Sequence, residues 1–313
     1  MVRAYACVNN DTLTRRLSSS GGVFTLLAEY VIKQNGVVFG AAYDDDLNVH
    51  HICISKEEDI PLLTGSKYVR SSMGDTYKQA KEYLDKGRLV LFSGTPCQAG
   101  GIKSYLKKDY DNLILQDIVC HGTPSPSVWQ KYLNYQSKIH GARVLKNPPP
   151  RFRDKRTGWK EYSVSLHFTD GTEYASVYKN DPFMTAFLKN LCLTESCYNC
   201  HFKSLERESD ITLADFWGAD KIVPEMFDDK GISLVTVNSE KGARIFNEIS
   251  DRLNYKEVNR DEAFQYNPSA HTSAYLPRQR KAFMKNVSED NFKDCVIKYT
   301  KGNVIRRIIK KLC

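Results

Sequence analysis

Two apolar, strand-like runs that each end in a cysteine-bearing turn constrain the fold of this chain more than any other feature. Leu89–Phe92 leads into the turn Ser93–Cys97, and Asn112–Val119 ends at Cys120. A helical segment to about Lys107 lies between them, and strand, helix and strand at this spacing predict a βαβ unit with parallel strands. Both cysteines then lie at the carboxyl ends of parallel strands, where open α/β sheets bind ligands.

A Cys-x-x-Cys pair, Cys197 and Cys200, adds two thiols further along the chain. The two-residue spacing allows both sulfurs to reach one metal centre. Together with Cys97 and Cys120 the pair supplies four thiolates, which suit a tetrahedral zinc ion or an iron–sulfur cluster. Because these ligands are scattered over residues 97–200, they favour a centre built into a larger domain over a zinc finger.

The same residues leave two other chemistries open. A structural zinc on the four cysteines would make the chain a binding or scaffold protein. Alternatively, Cys97 is predicted at a helix N-terminus and could act as a nucleophile in acyl transfer, with His121 as its base. Buried structural thiols are expected at Cys7, Cys53 and Cys192. Nine cysteines, an odd number, argue against a disulfide framework and for metal or catalytic use.

The bulk composition is that of a globular protein and limits the classes of function. Hydrophobic residues make up 41% and charged residues 26% of the 313 positions, and this length suggests roughly two domains. No apolar run approaches the roughly 20 residues that span a bilayer. Met1–Asn10 lacks the apolar core of a signal peptide. We therefore expect a cytoplasmic protein.

Much of the positive charge is concentrated at the C-terminus. Five cations and no acid lie in residues 301–313, so the net charge of +8 falls to +3 (8 − 5) without them. No nucleic-acid-binding motif accompanies the charge, and a nucleic-acid partner is not expected. Val304–Leu312 has an apolar helical stripe with cations opposite. This pattern suits docking on the protein's own surface or peripheral contact with the inner face of a membrane.

The overall pattern predicts an α/β fold with a mixed, largely parallel sheet, flanking helices, a β-hairpin insertion and a helical C-terminal tail. The hairpin signal is Asp170-Gly171 between the alternating runs Tyr162–Phe168 and Thr172–Val177. Further strands are predicted at Val37–Tyr43, His50–Ile54, Asp210–Asp215 and Ile232–Val237, and further helices over residues 22–34, 75–86, 182–191 and 241–253.

Two donor-rich turns are candidate phosphate sites. Residues 18–22 (Ser-Ser-Ser-Gly-Gly) open a predicted helix, whose free N–H groups and positive dipole end favour an anion. A plain serine N-cap is the alternative. In Gly65-Ser66-Lys67, Lys67 adds a point charge and Ser66 a hydroxyl, whereas a solvated surface lysine is the alternative.

Seven motifs in order resemble the beta-subunit family of coenzyme F420-dependent hydrogenases and dehydrogenases, over about residues 5–250. The N-terminal motifs are residues 18–22 and 65–69. The cysteine motifs are residues 94–98, 120–122 and 196–200. The others are Phe152-Arg153-Asp154-Lys155 and the segment from Ser209 through Asp215-Phe216-Trp217-Gly218.

The resemblance implies FAD and one [4Fe-4S] cluster, which it places on Cys97, Cys120, Cys197 and Cys200. The predicted flavin contacts are Ser18, Ser19, Ser20, Gly21, Gly22, Gly65, Ser66, Lys67, Tyr68, Thr95 and Pro96. The chain is divided accordingly into residues 1–86, the N-terminal flavin-binding region, residues 87–253, the C-terminal-type beta-subunit domain with the cluster cysteines, and residues 254–313, a helical C-terminal extension.

Two residues are candidates for a catalytic role under this interpretation. Lys155 is one of them: together with Arg153, and near Trp159, it would stabilise a reduced, anionic flavin or bind an acidic substrate, and a basic surface loop is the alternative. His121 would hydrogen-bond a cluster sulfur and tune its potential, and a structural histidine is the alternative. Asp215 and Trp217 could line the same site.

The expected function is a flavin- and iron–sulfur-dependent oxidoreductase. It would pass electrons between a hydride carrier or substrate, of the deazaflavin or nicotinamide type, and an external redox partner. Relatives of this kind also occur among proteins for bacterial surface-polysaccharide assembly, which makes polysaccharide biosynthesis an expected setting. Many relatives carry an N-terminal ferredoxin-like module, whereas only Cys7 precedes Ser18 here. A separate ferredoxin-like electron partner is therefore expected.

Overall fold

The computed structural model describes residues 2–300, which form two sheets with flanking helices. The strands are β1 (Arg3–Asn9), β2 (Val37–Tyr43), β3 (Val49–Ile54), β4 (Val90–Gly94), β5 (Leu113–Ile118), β6 (Arg151–Asp154), β7 (Ser163–His167), β8 (Glu173–Val177), β9 (Ile211–Asp215), β10 (Ser233–Val237) and β11 (Leu253–Val258). The helices are α1 (Thr12–Leu17), α2 (Val23–Lys33), α3 (Ile60–Leu63), α4 (Thr76–Asp85), α5 (Pro96–Leu106), α6 (Pro126–His140), α7 (Pro182–Leu188), α8 (Ala219–Ile222), α9 (Glu240–Ile249), α10 (Arg260–Phe264), α11 (Arg280–Asn286) and α12 (Phe292–Thr300). Within this part of the chain, no helix has the length and apolar character needed to cross a membrane.

The larger sheet has eight strands in the order β11-β1-β10-β9-β5-β4-β2-β3. Its block β9-β5-β4-β2 is parallel. The remaining neighbours pair antiparallel. The predicted α/β fold with a mixed sheet is therefore confirmed, and its parallel pairing is confined to this block of four strands.

The predicted βαβ unit is formed by β4, α5 and β5, whose strands pair in parallel. Both sheet faces of these strands are buried. Leu91 and Ile114 pack in one hydrophobic cluster, while Phe92 and Leu115 pack in another on the opposite face. A strand covered on both faces needs no polar alternation, which is why continuous apolar runs identified these two strands.

The turn between β4 and α5 is determined by two residues, Pro96 and Gln98. Pro96 occupies the first helical position, where its missing N–H group costs no hydrogen bond. The side-chain oxygen Oε1 of Gln98 accepts the backbone N–H of Thr95 at 2.9 Å, which fixes the entry into the helix. Cys97 is thereby held in the first turn of α5 and is exposed.

Strand β1 is an element that the sequence pattern did not reveal. It lies between β10 and β11 and pairs antiparallel with both. All of its residues except Arg3 are buried, so the strand has no alternation of polar and apolar positions. Cys7 is fully buried in it, as expected for a structural thiol. Cys192 is likewise buried, whereas Cys53 is half-buried.

Strand β11 falls at the start of the segment predicted to be mostly helical. It is the edge strand of the large sheet and pairs only with β1. Leu253 is buried, whereas residues 254–257 are exposed and polar or aromatic. An edge strand with one buried anchor has too weak an alternation to be recognised locally. The segment Val304–Leu312 lies outside the described residues, so its membrane contact stays a prediction.

The smaller sheet, β6-β7-β8, contains the predicted hairpin, since β7 and β8 pair antiparallel around Asp170-Gly171. Its inner side packs on α6, a helix that the sequence pattern did not predict, and on α7. The ring of Trp129 on α6 lies 5.0 Å from Phe152 of β6 and 5.1 Å from Phe183 of α7. This aromatic core fixes the position of β6, and with it of Arg153.

We expect Gly21→Ala to lower the free energy of unfolding by about 1–3 kcal/mol, the usual cost of overpacking. A Cβ atom at this position would lie 2.3 Å from the carbonyl oxygen of Cys7 and 2.7 Å from the backbone nitrogen of Ser233. These are backbone atoms of paired strands, which cannot move aside without distorting the sheet. Denaturant unfolding followed by circular dichroism measures the loss.

Gly87→Ala is the matched control for this variant. Gly87 has a φ of +75° but nothing within 4 Å of an added Cβ atom, so its substitution measures backbone strain alone, about 1 kcal/mol. If Gly21→Ala lowered the free energy of unfolding no more than Gly87→Ala does, the close packing of residue 21 against β1 and β10 would be contradicted.

Candidate functional site

A cavity of about 420 Å³ opens at the carboxyl ends of the parallel strands. Its walls come from the ends of β4, β5 and β9 and from two loops of the N-terminal region, residues 18–22 and 63–69. Open α/β sheets bind ligands at this edge because the strands end there and the loops diverge. The structure therefore joins both donor-rich turns and the two strand ends into one site.

Most of the predicted flavin contacts line this cavity. They are Ser18, Ser19, Ser20, Gly22, Gly65, Ser66, Lys67, Tyr68 and Thr95. Gly21 does not line it, because it is packed against β1 and β10. Pro96 lies instead in the wall of a second, neighbouring pocket.

A serine pair connects the two donor-rich turns. The hydroxyl oxygen of Ser19 accepts the backbone N–H of Ser66 at 2.7 Å. It also lies 2.9 Å from the hydroxyl oxygen of Ser66. Ser18 and Ser20 donate their hydroxyls to the backbone carbonyls of Thr14 and Ile232. The N-cap of α2 is Gly22, with no side-chain cap. The serines thus hold the loop in place and leave the helix N–H groups for a ligand.

Lys67 is a half-buried amine in the cavity wall. Its Nζ atom donates to the carbonyl oxygens of Thr64 at 3.1 Å and Gly65 at 3.3 Å. Burial lowers the pKa of Lys67 to about 7. Because neither partner carries a charge, the ammonium form would be stabilised by an anion in the cavity.

Arg153 and Asp215 form a buried ion pair in the cavity wall. Nη1 of Arg153 donates to Oδ2 of Asp215 at 2.5 Å, and Nη2 lies 3.3 Å from Oδ1. Burial lowers the pKa of Arg153, but the carboxylate of Asp215 together with the hydroxyls of Tyr68 and Tyr162 outweighs burial, and the net pKa is raised. The guanidinium is therefore a permanent cation. Trp217 also lines the cavity and stacks on Trp159 with ring centres 5.0 Å apart.

Lys155 lies behind the serine loop and outside the cavity wall. Its amine donates to the carbonyl oxygens of Arg15 at 2.7 Å, Ser20 at 2.6 Å and Lys230 at 2.8 Å. Burial, followed by the charge of Arg153, lowers its pKa to about 7. All three donors of its ammonium group point at backbone oxygens. This placement favours a role in positioning the loop over contact with a bound molecule.

The second pocket is lined by all four predicted metal ligands, Cys97, Cys120, Cys197 and Cys200. The turn after β4 brings Cys97, the end of β5 brings Cys120, and a turn at Glu195–Asn199 brings the Cys-x-x-Cys pair. Within residues 2–300, no three His, Cys, Asp or Glu side chains are grouped closely enough to hold a single metal ion. The four thiols therefore surround a pocket and do not form a tight cage for one ion.

Close packing and positive charge surround the cysteine pocket. Gly122 has a φ of +151°, which favours glycine, and a Cβ atom there would lie 2.9 Å from Cδ1 of Leu193 and 3.3 Å from Cβ of Cys197. Lys203 donates to the carbonyl oxygens of Cys120 and of Ser269. Arg207 also lines the pocket. Cationic neighbours of this kind suit a centre whose thiolate ligands bring negative charge.

The donor set fits a soft metal centre. Burial raises the pKa of Cys120 to about 12, so its thiol keeps its proton unless a cation replaces it. The backbone N–H of Thr123 points at the sulfur of Cys197 at 3.4 Å. Such N–H donors stabilise sulfur that carries negative charge. Four sulfurs with a cationic rim therefore provide what an iron–sulfur cluster requires.

His121 is bound to neutral partners. Its Nε2 atom lies 2.7 Å from Oδ1 of Asn190, and its Nδ1 atom lies 3.3 Å from the hydroxyl of Ser269. Burial lowers its pKa. Both ring nitrogens are thus occupied by residues other than Cys97, which disfavours the cysteine–histidine pair of an acyl transferase. His121 does lie in the wall shared by the two pockets.

A polar network in the cavity wall was not predicted from the sequence. Ring atom Nδ1 of His51 lies 2.7 Å from the Ser71 hydroxyl, and Nε2 lies 3.0 Å from the carbonyl oxygen of Ser93. Since a carbonyl only accepts, Nε2 carries the proton and Nδ1 accepts from Ser71. Burial lowers the pKa of His51 to about 4, so the ring is neutral at pH 7. Ser71 and Ser93 lie 20 and 42 residues after His51 in the chain, so no local sequence motif indicates these contacts.

Comparison with known proteins agrees with this geometry. A family model for the C-terminal region of the coenzyme F420 hydrogenase/dehydrogenase beta subunit matches residues 87–262. No curated protein matches the sequence. Among solved structures, a chain from a Methanosarcina barkeri structure titled as the xenon derivatization of the F420-reducing [NiFe] hydrogenase complex is similar in fold. The two share 15% identity with a TM-score of 0.57, and the match covers 95% of this chain and 90% of that one.

The family match includes β4, β5, β9 and all four pocket cysteines, and it extends over more than half of the 313 residues. The strand ends that build both pockets are thus part of what the family shares. The chain belongs to the coenzyme F420 hydrogenase/dehydrogenase beta-subunit family.

Proposed function

We propose that this chain is a flavin- and iron–sulfur-dependent oxidoreductase that passes electrons between a hydride carrier or substrate and an external redox partner. The proposal depends chiefly on one observation. The 420 Å³ cavity and the cysteine pocket share a wall formed by Cys120–Thr123 and Ser269. Groups bound in the two pockets would be separated only by these residues, which supports electron transfer between them.

FAD is the proposed occupant of the larger cavity, with its phosphates at the serine loop and at Lys67. Free N–H groups at the start of α2 and the amine of Lys67 would bind the pyrophosphate. The aromatic side chains of Tyr68, Tyr162 and Trp217 line the same cavity and would pack on a planar ring. Lys155 would hold the serine loop from behind through its bond to Ser20.

One [4Fe-4S] cluster is the proposed occupant of the cysteine pocket. When bound, the two cofactors supply two-electron hydride chemistry on one side and one-electron transfer on the other. The protein contributes four thiolates, the N–H donor at Thr123 and the cationic rim of Lys203 and Arg207. The carrier that exchanges hydride would be of the deazaflavin or nicotinamide type, and the setting would be surface polysaccharide biosynthesis.

The external partner would receive or supply electrons where the cysteine pocket reaches the surface. Cys97 is exposed, and Phe202, which lines the same pocket, keeps 37% of its surface exposed. A separate ferredoxin-like protein is the proposed partner at this surface. A zinc-stabilised scaffold is the competing proposal on ligand chemistry alone, although within residues 2–300 no three His, Cys, Asp or Glu side chains are grouped closely enough for a single ion.

Anaerobic purification should yield a brown protein with about four iron atoms per chain and bound flavin. Cys120→Ser removes a proposed cluster ligand, and we expect it to lose most of the iron and the visible absorbance while FAD binding persists. Cys53→Ser is the matched control, since Cys53 lies on β3 and does not line the cysteine pocket. A colourless protein with one zinc ion per chain would establish the scaffold instead.

The affinity of the apoprotein for FAD should fall as the pH rises above about 7. The pKa of Lys67 in the free protein is lowered to about 7, and a bound pyrophosphate favours the charged amine. Affinity is therefore greatest below that pH and decreases by up to about tenfold per pH unit above it, until the pKa in the complex is reached. Fluorescence titrations between pH 6 and 9 measure this slope.

Lys67→Arg keeps a cation across this range and should give a flat pH profile, and Lys67→Gln should give weak and equally flat binding. Equal slopes in the wild type and the Arg variant would exclude Lys67 as the titrating group.

With its hydride carrier alone, the holoprotein should not sustain turnover. Electrons that reach the cysteine pocket need an acceptor, so added ferredoxin or an artificial acceptor should restore repeated turnover. The measurement is carrier oxidation with and without ferredoxin under anaerobic conditions. If the protein continued to exchange hydride between two carriers with neither ferredoxin nor an artificial acceptor present, the cluster would be structural.

A further inference from the structure

A segment that follows α10 contacts both pockets. Ser269 belongs to the wall that the two pockets share. The hydroxyl oxygen of Ser273 accepts the backbone N–H of Cys200, one of the proposed cluster ligands, at 3.0 Å. We call residues 267–285 the strap. The strap begins after residue 262, where the family match ends, so the features shared with the family do not account for it.

Three further hydrogen bonds fix the strap beside the Cys-x-x-Cys turn. Arg280 donates through Nε to the hydroxyl oxygen of Tyr198 and through Nη2 to the carbonyl oxygen of Leu193, both at 2.9 Å. The side-chain amide of Asn190 donates to the carbonyl oxygen of Tyr275 at 3.3 Å. The backbone of the strap is therefore held next to the turn that carries two proposed cluster ligands, and a protein bound on the strap would lie beside that turn.

Two adjacent residues of the strap have the most exposed large hydrophobic side chains in residues 2–300. Tyr275 keeps 63% and Leu276 keeps 61% of its surface exposed, whereas the next value is 56%, at Ile139. Single exposed apolar side chains are common on protein surfaces, but two neighbours on a fixed backbone resemble the anchors that fill pockets in a binding partner. Because the backbone that carries them is already ordered, binding would cost little conformational entropy.

The charge of the segment that carries these anchors is entirely positive. Residues 263–288 contain four Lys or Arg residues and no Asp or Glu. Arg278, Lys281 and Lys285 are exposed, and none of the three forms an ion pair within the part of the chain that the structure describes. An apolar centre with a cationic rim is complementary to a surface whose apolar patch is bordered by carboxylates.

We propose that the strap is the docking surface of the external redox partner and that this partner is a small acidic protein. This inference rests on the proposed function. Tyr275 and Leu276 fill an apolar depression of the partner, and the cations of the strap steer its acidic surface towards the cysteine pocket. An anionic membrane also attracts cations and aromatic rings, but the attachment of the strap to the Cys-x-x-Cys turn favours a protein that exchanges electrons there.

The first test removes the two anchors from the holoprotein, with a purified acidic bacterial ferredoxin as the probe. Tyr275→Ala with Leu276→Ala should raise the Kd for ferredoxin, measured by titration calorimetry, by at least about tenfold. Iron content, flavin content and turnover with an artificial acceptor should stay unchanged, because a small acceptor needs no docking surface. Ile139→Ala on α6 is the matched control, and its Kd should equal that of the wild type.

The second test reverses the charge of the strap. Arg278→Glu with Lys281→Glu should lower the association rate at least about tenfold and remove most of its dependence on salt between about 0.05 M and about 0.3 M. Lys33→Glu with Lys86→Glu changes the net charge equally. These two lysines are exposed and precede β2 and β4, at the opposite edge of the parallel strands, so this control should bind ferredoxin at nearly the wild-type rate.

Three results would overturn the docking surface. Wild-type binding in either strap variant, or no binding of ferredoxin to the wild-type holoprotein, would do so, and turnover with an artificial acceptor would then leave the proposed function standing. Loss of binding to vesicles of anionic phospholipid in the charge-reversed variant, with unchanged affinity for ferredoxin, would assign the strap to a membrane surface. Absence of iron and flavin from the wild-type protein would overturn the proposed function itself.

Discussion

Parallel hydrogen bonding among β2, β4, β5 and β9 is the constraint on which the rest of the structure depends. Parallel neighbours end at the same edge of the sheet, so the turns after β4, β5 and β9 must open side by side. Cys97 follows the first of these strands, Cys120 the second and Trp217 the third. The adjacency of cavity and cysteine pocket is therefore a consequence of strand direction, and the loops only complete it.

The electrostatics of the two pockets differ although they share a wall. The larger cavity combines a permanent cation at Arg153 with the amine of Lys67, whose pKa is lowered to about 7. The cysteine pocket has a buried thiol with a raised pKa beside Lys203. The larger cavity therefore gains stability when an anion binds, whereas the thiol of Cys120 loses its proton only when a metal cation replaces it.

The separation in sequence between interacting residues decides how much of the fold and of the candidate site could be predicted. Strands β4 and β5 were recognisable because both faces are buried, and the cysteines because their spacing and turns are local. Strand β1 was not recognised, because its partners begin at Ser233 and Leu253. The same holds within the site. The serine loop has a local signature, whereas the partners of His51 and the pairing of Arg153 with Asp215 exist only in the folded chain.

The position of β1 has a consequence for how the molecule forms. Arg3–Asn9 is made well before its neighbours in the sheet, β10 and β11, which lie more than 220 residues later. During synthesis this apolar strand lacks at least one of its two neighbours in the sheet until the ribosome has released residues up to Val258. The serine loop continues directly from β1 and α1 and rests on β10 through Gly21. The serine loop can therefore take up its position only after β10 has been made, and closure of so distant a contact is slow and exposes the protein to aggregation.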